Sequence, residues 1–365
     1  MSDTVPSGRA HRRPLCRALT LGLPTLWGAT ALTYKLTCPL AERHLFCARL
    51  LTNVVFFGVG SALILFANRG LLRELRQVHR VAGAAQSVLL RPLPARIEGL
   101  SIAAARLSAE HGAVVGGDLY EAIGTEYGVR VVMGDVRGHG LAALGTVAAV
   151  LGSFREAAHD EPELGGLLRR LDRALERHLG AGTGTAHGET PGEDTGGATG
   201  EASAEEFVTV LLLEIGADGE LRALNCGHPW PYLLGEDRVE PLTAAEPLPP
   251  LGLFPLPADL PAVVCPQLLP GEALFLHTDG AEDARDAHGR FFPLRAALAA
   301  AVREGPPFPQ SVLRIVFTLL LRHAGTSPSD DAALLVLHRD RGRAPGPPPS
   351  PGGRHAGHRA RPGRR

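Results

Sequence analysis

The chain has 365 residues, with 37 basic and 38 acidic side chains and a formal net charge of −1 at pH 7. This near balance gives no electrostatic indication of a nucleic-acid partner. Its five cysteines show no Cys-x-x-Cys spacing, which excludes the common zinc-ribbon and dithiol redox motifs.

The N-terminal part has the pattern of a membrane hairpin. Residues 1–17 are basic, whereas residues 18–34 and 50–67 carry no charged side chain. Each segment is close to the ~20 residues that cross a bilayer. Because arginines flank the pair on both outer sides, residues 18–67 are expected to span the lipid twice, with both ends in the cytoplasm. A cleaved signal peptide ending near residues 29–31 is the alternative for the first segment.

Residues 68–92 are predicted to form a helical connector. Apolar residues alternate there in steps of four and three, over fewer than three heptads: Leu71, Leu75, Val78, Ala82, Ala85 and Leu89. Two structures fit this seam. One is a helix packed on its own domain, and the other is a short coiled coil that makes a homodimer and links the membrane to the next domain.

Residues 93–340 alternate β-rich runs with helical blocks. Strands are predicted at 129–133, 207–215, 221–226, 232–234, 273–276 and 332–337, and helices at 141–158, 164–179, 293–302 and 310–322. Asp218-Gly219 lies between two neighbouring strands and is a hairpin signal. The sheets are therefore expected to be antiparallel and the domain to be α+β.

Two segments have too few large apolar side chains to order themselves. Residues 180–206 are rich in Gly, Thr and Glu, and residues 341–365 are rich in Pro, Gly and Arg. We expect a disordered insertion within the domain and a disordered basic tail after it.

Carboxylates recur at the ends of the predicted strands and beside glycines. They are Asp118, Asp135, Asp279, Asp330 and Asp331. Each one alone is more typical of a turn or of a helix N-cap. Carboxylates at strand ends can nevertheless converge on one pocket, and hard oxygen ligands of this kind suit Mg²⁺ or Mn²⁺.

In this order, the motifs resemble the metal-dependent protein phosphatase 2C superfamily, in its bacterial SpoIIE/RsbU-like branch. The resemblance covers residues 85–338, and its motifs lie at 86–92, 116–120, 134–140, 225–229, 249–252, 269–272, 277–280 and 330–331. It implies two stacked antiparallel sheets flanked by helices. It also implies hydrolysis of phosphoserine and phosphothreonine by a water that two Mn²⁺ or Mg²⁺ ions activate. The implied partner is a phosphorylated regulatory protein of the anti-sigma-factor antagonist type.

The same resemblance assigns roles to single residues. Asp135 is expected to bridge both ions, and the Val136 carbonyl and Asp118 to serve one of them. Asp279 and Asp330 are expected to hold the other ion, with Asp331 as the substitute if the register differs by one residue. Asp118 and Asp135 are thus the expected catalytic residues.

Three positions depart from the family pattern. Glu121 stands where many relatives have Asp, which is expected to alter an outer-shell role. Arg137 stands where eukaryotic relatives carry a histidine thought to act as an acid, so no general acid is assigned. His139 is either such an acid or a turn residue. Residues 281–283 replace a usual apolar pair and are expected to loosen local packing.

Two other functions were weighed against the phosphatase. Residues 138–143 match the Gly-x-Gly-x-x-Ala pattern of dinucleotide sites, but no compact βαβ unit follows them. A membrane-tethered scaffold that binds a phosphoprotein without hydrolysing it is the second alternative, and the filled metal positions argue against it. The sequence predicts a multi-pass protein of the cell membrane with a cytoplasmic catalytic domain.

Overall fold

The computed structural model describes residues 58–66, 69, 86, 88–107, 116–138, 141–184, 206–325 and 331–341. The chain divides into two units, of which the first comprises Met1–Val88 and Glu110–Val115. The second comprises Leu89–Ala109 and Gly116–Arg365 and contains the globular region.

In the first unit, residues 58–66 are helical and belong to the second predicted membrane segment. Their large apolar side chains Ile64, Leu65 and Phe66 are more than half exposed. Among the residues that the structure describes, no helix combines the length and the apolar character needed to span a bilayer. The segment 18–34 and most of the connector lie outside the described residues, so the hairpin and the coiled coil stay predictions.

The second unit contains eleven strands and five helices within its described residues. The strands are β1 (Arg96–Ile97), β2 (Leu100–Leu107), β3 (Asp118–Thr125), β4 (Gly128–Val136), β5 (Val208–Ile215), β6 (Leu221–Cys226), β7 (Tyr232–Leu234), β8 (Val239–Pro241), β9 (Val263–Cys265), β10 (Ala273–His277) and β11 (Ala332–Arg339). The helices are α1 (Leu141–Asp160), α2 (Leu164–Gly184), α3 (Gly280–Asp283), α4 (Leu294–Glu304) and α5 (Pro309–Ala324).

The strands form two antiparallel sheets. Sheet A has the order β1-β2-β11-β10-β7-β8, and sheet B has the order β3-β4-β5-β6-β9. Residues of both sheets fill one apolar layer, which includes Met133 and Leu211 from sheet B and Leu276 and Leu335 from sheet A. The two sheets are therefore stacked face to face.

Helices cover the outer face of each sheet. In α1, the buried residues Ala143, Val147, Leu151 and Phe154 recur at helical spacing and join a cluster with sheet B. Residues of α4 and α5 join a second cluster with the outer face of sheet A. The predicted α+β architecture of two antiparallel sheets flanked by helices is confirmed.

Strand alternation decides which side chains of β4 lie between the sheets. Val131 and Met133 belong to the layer between the sheets, whereas Val132 and Val136 belong to the helix-covered side. Asp135 therefore shares the inner face with Met133. The apolar layer between the sheets therefore gives way to polar side chains at the C-terminal end of β4.

A buried arginine fixes α1 on sheet B. The Arg130 side chain is fully buried and donates to the carbonyl oxygens of Ala158 (3.0 Å) and Pro162 (2.8 Å), and also to that of Glu161. Its Nε and Nη2 atoms donate to Glu214 Oε2 at 2.9 and 2.6 Å. A strand side chain thus satisfies carbonyl groups at the C-terminal end of a helix, where the helix has no donors of its own.

The predicted elements were found with small shifts of their ends. Helix α2 continues to Gly184, into the segment predicted as an insertion from residue 180, because backbone hydrogen bonding carries the helix past its last apolar residue. Residues 185–205 and the tail after residue 341 lie outside the described residues. Five strands and the short helix α3 were not predicted: β1, β2, β3, β8 and β9.

Candidate functional site

Two adjacent carboxylates from sheet B begin the candidate site. Asp118 opens β3 and lies directly opposite Asp135 of β4 in the antiparallel register, so both side chains face the same side of the sheet. The Val136 N–H donates to the Gly117 carbonyl at 3.1 Å. This bond fixes the backbone of residues 116–117 against the end of β4.

Gly116 and Gly117 leave room for oxygen atoms of the site. A Cβ atom at Gly116 would overlap the carboxylate of Asp331. A Cβ at Gly117 would overlap the Val136 carbonyl oxygen and would lie 2.7 Å from Asp135 Oδ1. Two carboxylates and one carbonyl thus meet on the backbone of the Gly-Gly pair. One of the two carboxylates belongs to Asp331, which directly precedes β11 of sheet A.

The environment of Asp118 shows that acidic groups of both sheets converge. Its side chain is 2% exposed. Burial raises its pKa to about 7, and the nearby charges of Asp331 and Asp279 act in the same direction. A hydrogen bond from Thr278 and the charge of Arg106 lower this pKa. Asp118 Oδ2 is buried and has no hydrogen-bond partner among the described residues.

Asp279 and Asp331 enter from sheet A. The Thr278 N–H donates to the Ala333 carbonyl at 3.1 Å, and the Ala333 N–H donates to Thr278 Oγ1 at 2.9 Å, so the ends of β10 and β11 are tied together. Asp279 stands at the N-cap of α3, yet its side chain makes no capping hydrogen bond. The N-cap explanation of this residue, which the sequence alone favoured, therefore does not hold.

The predicted site residues separate into two groups. Four carboxylates and the Val136 carbonyl reach one region between the ends of the sheets: Asp118, Asp135, Asp279 and Asp331. Asp330 and His139 lie outside the described residues. As the described side chains are placed, no three acidic, histidine or cysteine residues are arranged to hold one ion by themselves.

Glu121 does not belong to this region. It lies three residues after Asp118, on the opposite face of β3, where Arg155 of α1 donates to its Oε2 from Nε (2.8 Å) and Nη2 (2.6 Å). The same Arg155 also donates to the Leu89 carbonyl at 2.7 Å. Glu121 therefore connects a site strand to α1 instead of facing the carboxylates.

Residues 281–283 do not loosen the packing. Ala281 is fully buried, and the Tyr232 hydroxyl donates to Glu282 Oε1 at 3.2 Å. His277 Nε2 lies 3.2 Å from the same oxygen. The acidic residue that replaces an apolar one is accommodated because two polar side chains surround its carboxylate.

Arg106 is a site residue that the sequence did not reveal. It lies on β2 opposite Ala333, its charge acts on Asp118 and Tyr120, and its Nε is buried without a hydrogen-bond partner within the described ranges. An arginine in the run Ala-Ala-Ala-Arg-Leu gives no local signal of a site. Only the pairing of β2 with β11 brings it beside the carboxylates.

Arg137 is exposed at the rim of this region. Its N–H donates to the Phe207 carbonyl at 2.9 Å, and its guanidinium carbon lies 5.1 Å from the centre of the Phe207 ring. A guanidinium does not give up its proton at physiological pH, so Arg137 cannot act as a general acid.

Comparison with known proteins agrees with this geometry. Residues 125–340, more than half of the chain, match the family described as stage II sporulation protein E (SpoIIE). The SiaA-PP2C domain of Pseudomonas aeruginosa is 20% identical, with a TM-score of 0.53 over 75% of this chain and 99% of that domain.

Two further solved structures have lower TM-scores. The RsbU and RsbW domains of a Mycobacterium tuberculosis protein are 24% identical, with a TM-score of 0.49 over 67% of this chain and 60% of that one. The phosphatase domain of SpoIIE from Bacillus subtilis, with part of its regulatory domain, is 16% identical, with a TM-score of 0.46 over 66% and 63%. The chain belongs to the SpoIIE family, and its globular region is a PP2C-type serine/threonine phosphatase domain.

Proposed function

We propose that this protein is a membrane-anchored, metal-dependent phosphatase that hydrolyses phosphoserine and phosphothreonine. The observation that carries the proposal is the convergence of Asp118 and Asp135 from sheet B with Asp279 and Asp331 from sheet A. Four carboxylates in one partly buried region repel each other, and positive charge is the simplest way to offset that repulsion.

The donor set fits divalent ions such as Mn²⁺ and Mg²⁺. These ions prefer oxygen ligands, and Asp118 Oδ2 is a buried oxygen without a hydrogen-bond partner in the described part of the chain. The glycine pair keeps the Val136 carbonyl and Asp135 open to a ligand. Since the described side chains do not complete a ligand set, water and Asp330 are the groups we expect to complete it.

Two bound ions would supply a water of lowered pKa and would neutralise phosphoryl oxygens. Asp135 would lie between them, Asp118 and the Val136 carbonyl would hold one ion, and Asp279 with Asp330 or Asp331 would hold the other. The chain itself needs no nucleophilic side chain. Cys226 is unsuited to such a role, because burial raises the pKa of its thiol to about 12.

The decisive experiment is hydrolysis of an aryl phosphate as a function of Mn²⁺ concentration. The wild type is expected to show Mn²⁺-dependent turnover, and Asp135→Asn is expected to lose nearly all of it, because a neutral amide cannot replace a bridging carboxylate. Cys226→Ser is the control and should keep its activity. A wild-type protein that binds a phosphoprotein but hydrolyses neither that phosphoprotein nor the aryl phosphate would favour the scaffold alternative.

The substrate that we propose is a regulatory protein of the anti-sigma-factor antagonist type. The support is the motif resemblance to the SpoIIE/RsbU-like branch, whose members often act on such proteins. Affinity capture with the Asp135→Asn protein, combined with phosphoproteomics of cells that lack the phosphatase, tests this. The same protein should be captured and should accumulate phosphoserine or phosphothreonine.

We also propose that residues 18–67 anchor the enzyme in the membrane. Two charge-free segments and the exposed apolar side chains of residues 64–66 support this. Topology reporters fused after residue 67 and within residues 35–49 should report opposite sides of the membrane. Reports from the same side would contradict the hairpin.

A further inference from the structure

A chain of polar groups leads from the candidate metal site to the turn between β6 and β7. The Asp135 N–H donates to Thr209 Oγ1 at 3.1 Å, and this hydroxyl lies 3.1 Å from His228 Nδ1. The Thr209 hydroxyl has a single hydrogen, so it can donate to only one acceptor. The Asp135 carbonyl oxygen, at 3.4 Å, is further from Thr209 Oγ1 than His228 Nδ1 is, and the hydroxyl therefore donates to His228.

His228 stands between the two sheets. Its side chain is 3% exposed, and burial lowers its pKa to about 3, so the ring is neutral at physiological pH. A neutral ring that accepts from Thr209 at Nδ1 carries its hydrogen on Nε2. His228 Nε2 is buried and has no hydrogen-bond partner among the described residues. Thr209 belongs to β5 of sheet B, where it lies opposite Asp135.

The turn that carries His228 is held in place by the Asn225 side chain. Asn225 Nδ2 donates to the His228 carbonyl, and the His228 N–H donates to Asn225 Oδ1, both at 2.8 Å. Gly227 has a φ of 69°, and a Cβ there would lie 2.6 Å from Pro250 Cγ. Two of the sequence motifs, at 225–229 and 249–252, therefore build one rigid mount for this imidazole.

We propose that His228 is a positioning residue of the metal centre, which ties the backbone of Asp135 through Thr209 to the turn at 225–229. Because Asn225 holds this turn, the tie fixes the backbone from which the Asp135 carboxylate extends. The inference rests on the proposed metal-dependent function. It gives a role to the Asn-Cys-Gly-His-Pro segment, which contributes no ligand itself.

The test uses the full chain purified in detergent, with Mn²⁺ alone as the probe. Mn²⁺ binding is measured by calorimetry, turnover is measured with an aryl phosphate, and folding is measured by thermal unfolding without added metal. Thr209→Val and His228→Phe remove the tie, whereas Thr209→Ser keeps the hydroxyl. Thr125→Val is the matched control. Like the Thr209 hydroxyl, Thr125 Oγ1 accepts from one backbone N–H (Tyr127, 3.2 Å) and donates one hydrogen bond, here to the Gly128 carbonyl (2.8 Å). It lies at the far end of β3 and β4.

We expect Thr209→Val and His228→Phe to weaken Mn²⁺ binding by about 10- to 100-fold, the usual effect of losing a group that orients a ligand. Thr209→Ser and Thr125→Val should bind Mn²⁺ like the wild type. If His228→Phe does not fold, the nearly isosteric Thr209→Val decides the question. Wild-type Mn²⁺ affinity in folded Thr209→Val protein would overturn the positioning role alone, whereas a wild type that binds no Mn²⁺ would overturn the proposed function as well.

Discussion

At the scale of single residues, the site depends on two glycines, which have no side chain, as much as on its carboxylates. Neither Gly116 nor Gly117 has the left-handed backbone that usually explains a glycine. Both lie where a β-carbon would collide with an oxygen of Asp331, Asp135 or Val136. The glycines therefore allow these oxygens to approach the backbone and are not required by the direction of the chain.

Gly117→Ala should consequently abolish most Mn²⁺-dependent turnover, by more than about 10-fold, with a matching loss of Mn²⁺ affinity, because the methyl group displaces the Val136 carbonyl. Gly152→Ala is the control, since a Cβ at this exposed position of α1 meets no atom within 4 Å. It should leave activity unchanged and stabilise the fold by roughly 0.4–1 kcal/mol. Calorimetry measures the Mn²⁺ affinity, and urea unfolding measures the stability of the fold. Normal Mn²⁺ affinity in Gly117→Ala would refute the role given to this glycine.

His228 predicts a pH dependence of stability. Its pKa is about 3 in the fold and 6.5 ordinarily, so below pH 6.5 the unfolded chain binds a proton that the folded chain does not. The contribution of His228 to stability should therefore be complete above pH 6.5 and should fall with decreasing pH, by about 1.4 kcal/mol per unit. Urea unfolding of wild type and His228→Gln at pH 7.5 and 5 should show their difference in stability narrowing at pH 5. A constant difference would contradict a neutral buried ring.

At the scale of elements, Arg130 shows how a strand and a helix are joined. One guanidinium satisfies three carbonyl groups within and just after the last turn of α1 and pairs with Glu214 on β5. Removing it leaves a mostly buried carboxylate and several carbonyls without donors. The contact thus couples the orientation of α1 to sheet B.

Arg130→Met should destabilise the fold by about 3–5 kcal/mol, the usual cost of leaving one partner of a buried ion pair uncompensated. Arg222→Met is the comparison, because Arg222 and Glu220 form a half-exposed pair 3.3 Å apart. Its effect should stay within about 1 kcal/mol. Guanidinium unfolding gives both values, and equal stabilities of the two variants would show that Arg130 is not the anchor of α1.

The elements also show what could be predicted from the sequence. Runs such as β5 and β6 were predicted because aliphatic residues dominate them. β2 (Leu-Ser-Ile-Ala-Ala-Ala-Arg-Leu) was missed, because its alanines favour strands weakly and its pairing with β11 is far away in the sequence. The carboxylates were predicted from strand ends, neighbouring glycines and the family resemblance, whereas Arg106 and the Thr209–His228 contact depend on residues that only the fold brings together.

At the scale of the whole molecule, the segment between α2 and β5 should be dispensable. Helix α2 ends at Gly184, and Glu206 is held by a hydrogen bond from Thr146 (2.8 Å). Residues 185–205 contain no large apolar side chain. Replacing them with a short Gly/Ser linker should leave thermal stability and Mn²⁺-dependent turnover within about two-fold of the wild type. A protein that no longer folds would show that the segment is structural.

The central place of β11 in sheet A bears on how this enzyme is made. β2 and β10 are synthesised before β11. Each therefore has an unpaired edge until residues 332–339 leave the ribosome and pair with both strands. Open edges of this kind invite aggregation, so the nascent chain depends on prompt completion or on a chaperone. Asp331 arrives with the same strand. A molecule synthesised only as far as β10 therefore lacks both the central strand of sheet A and one of the four carboxylates of the candidate site.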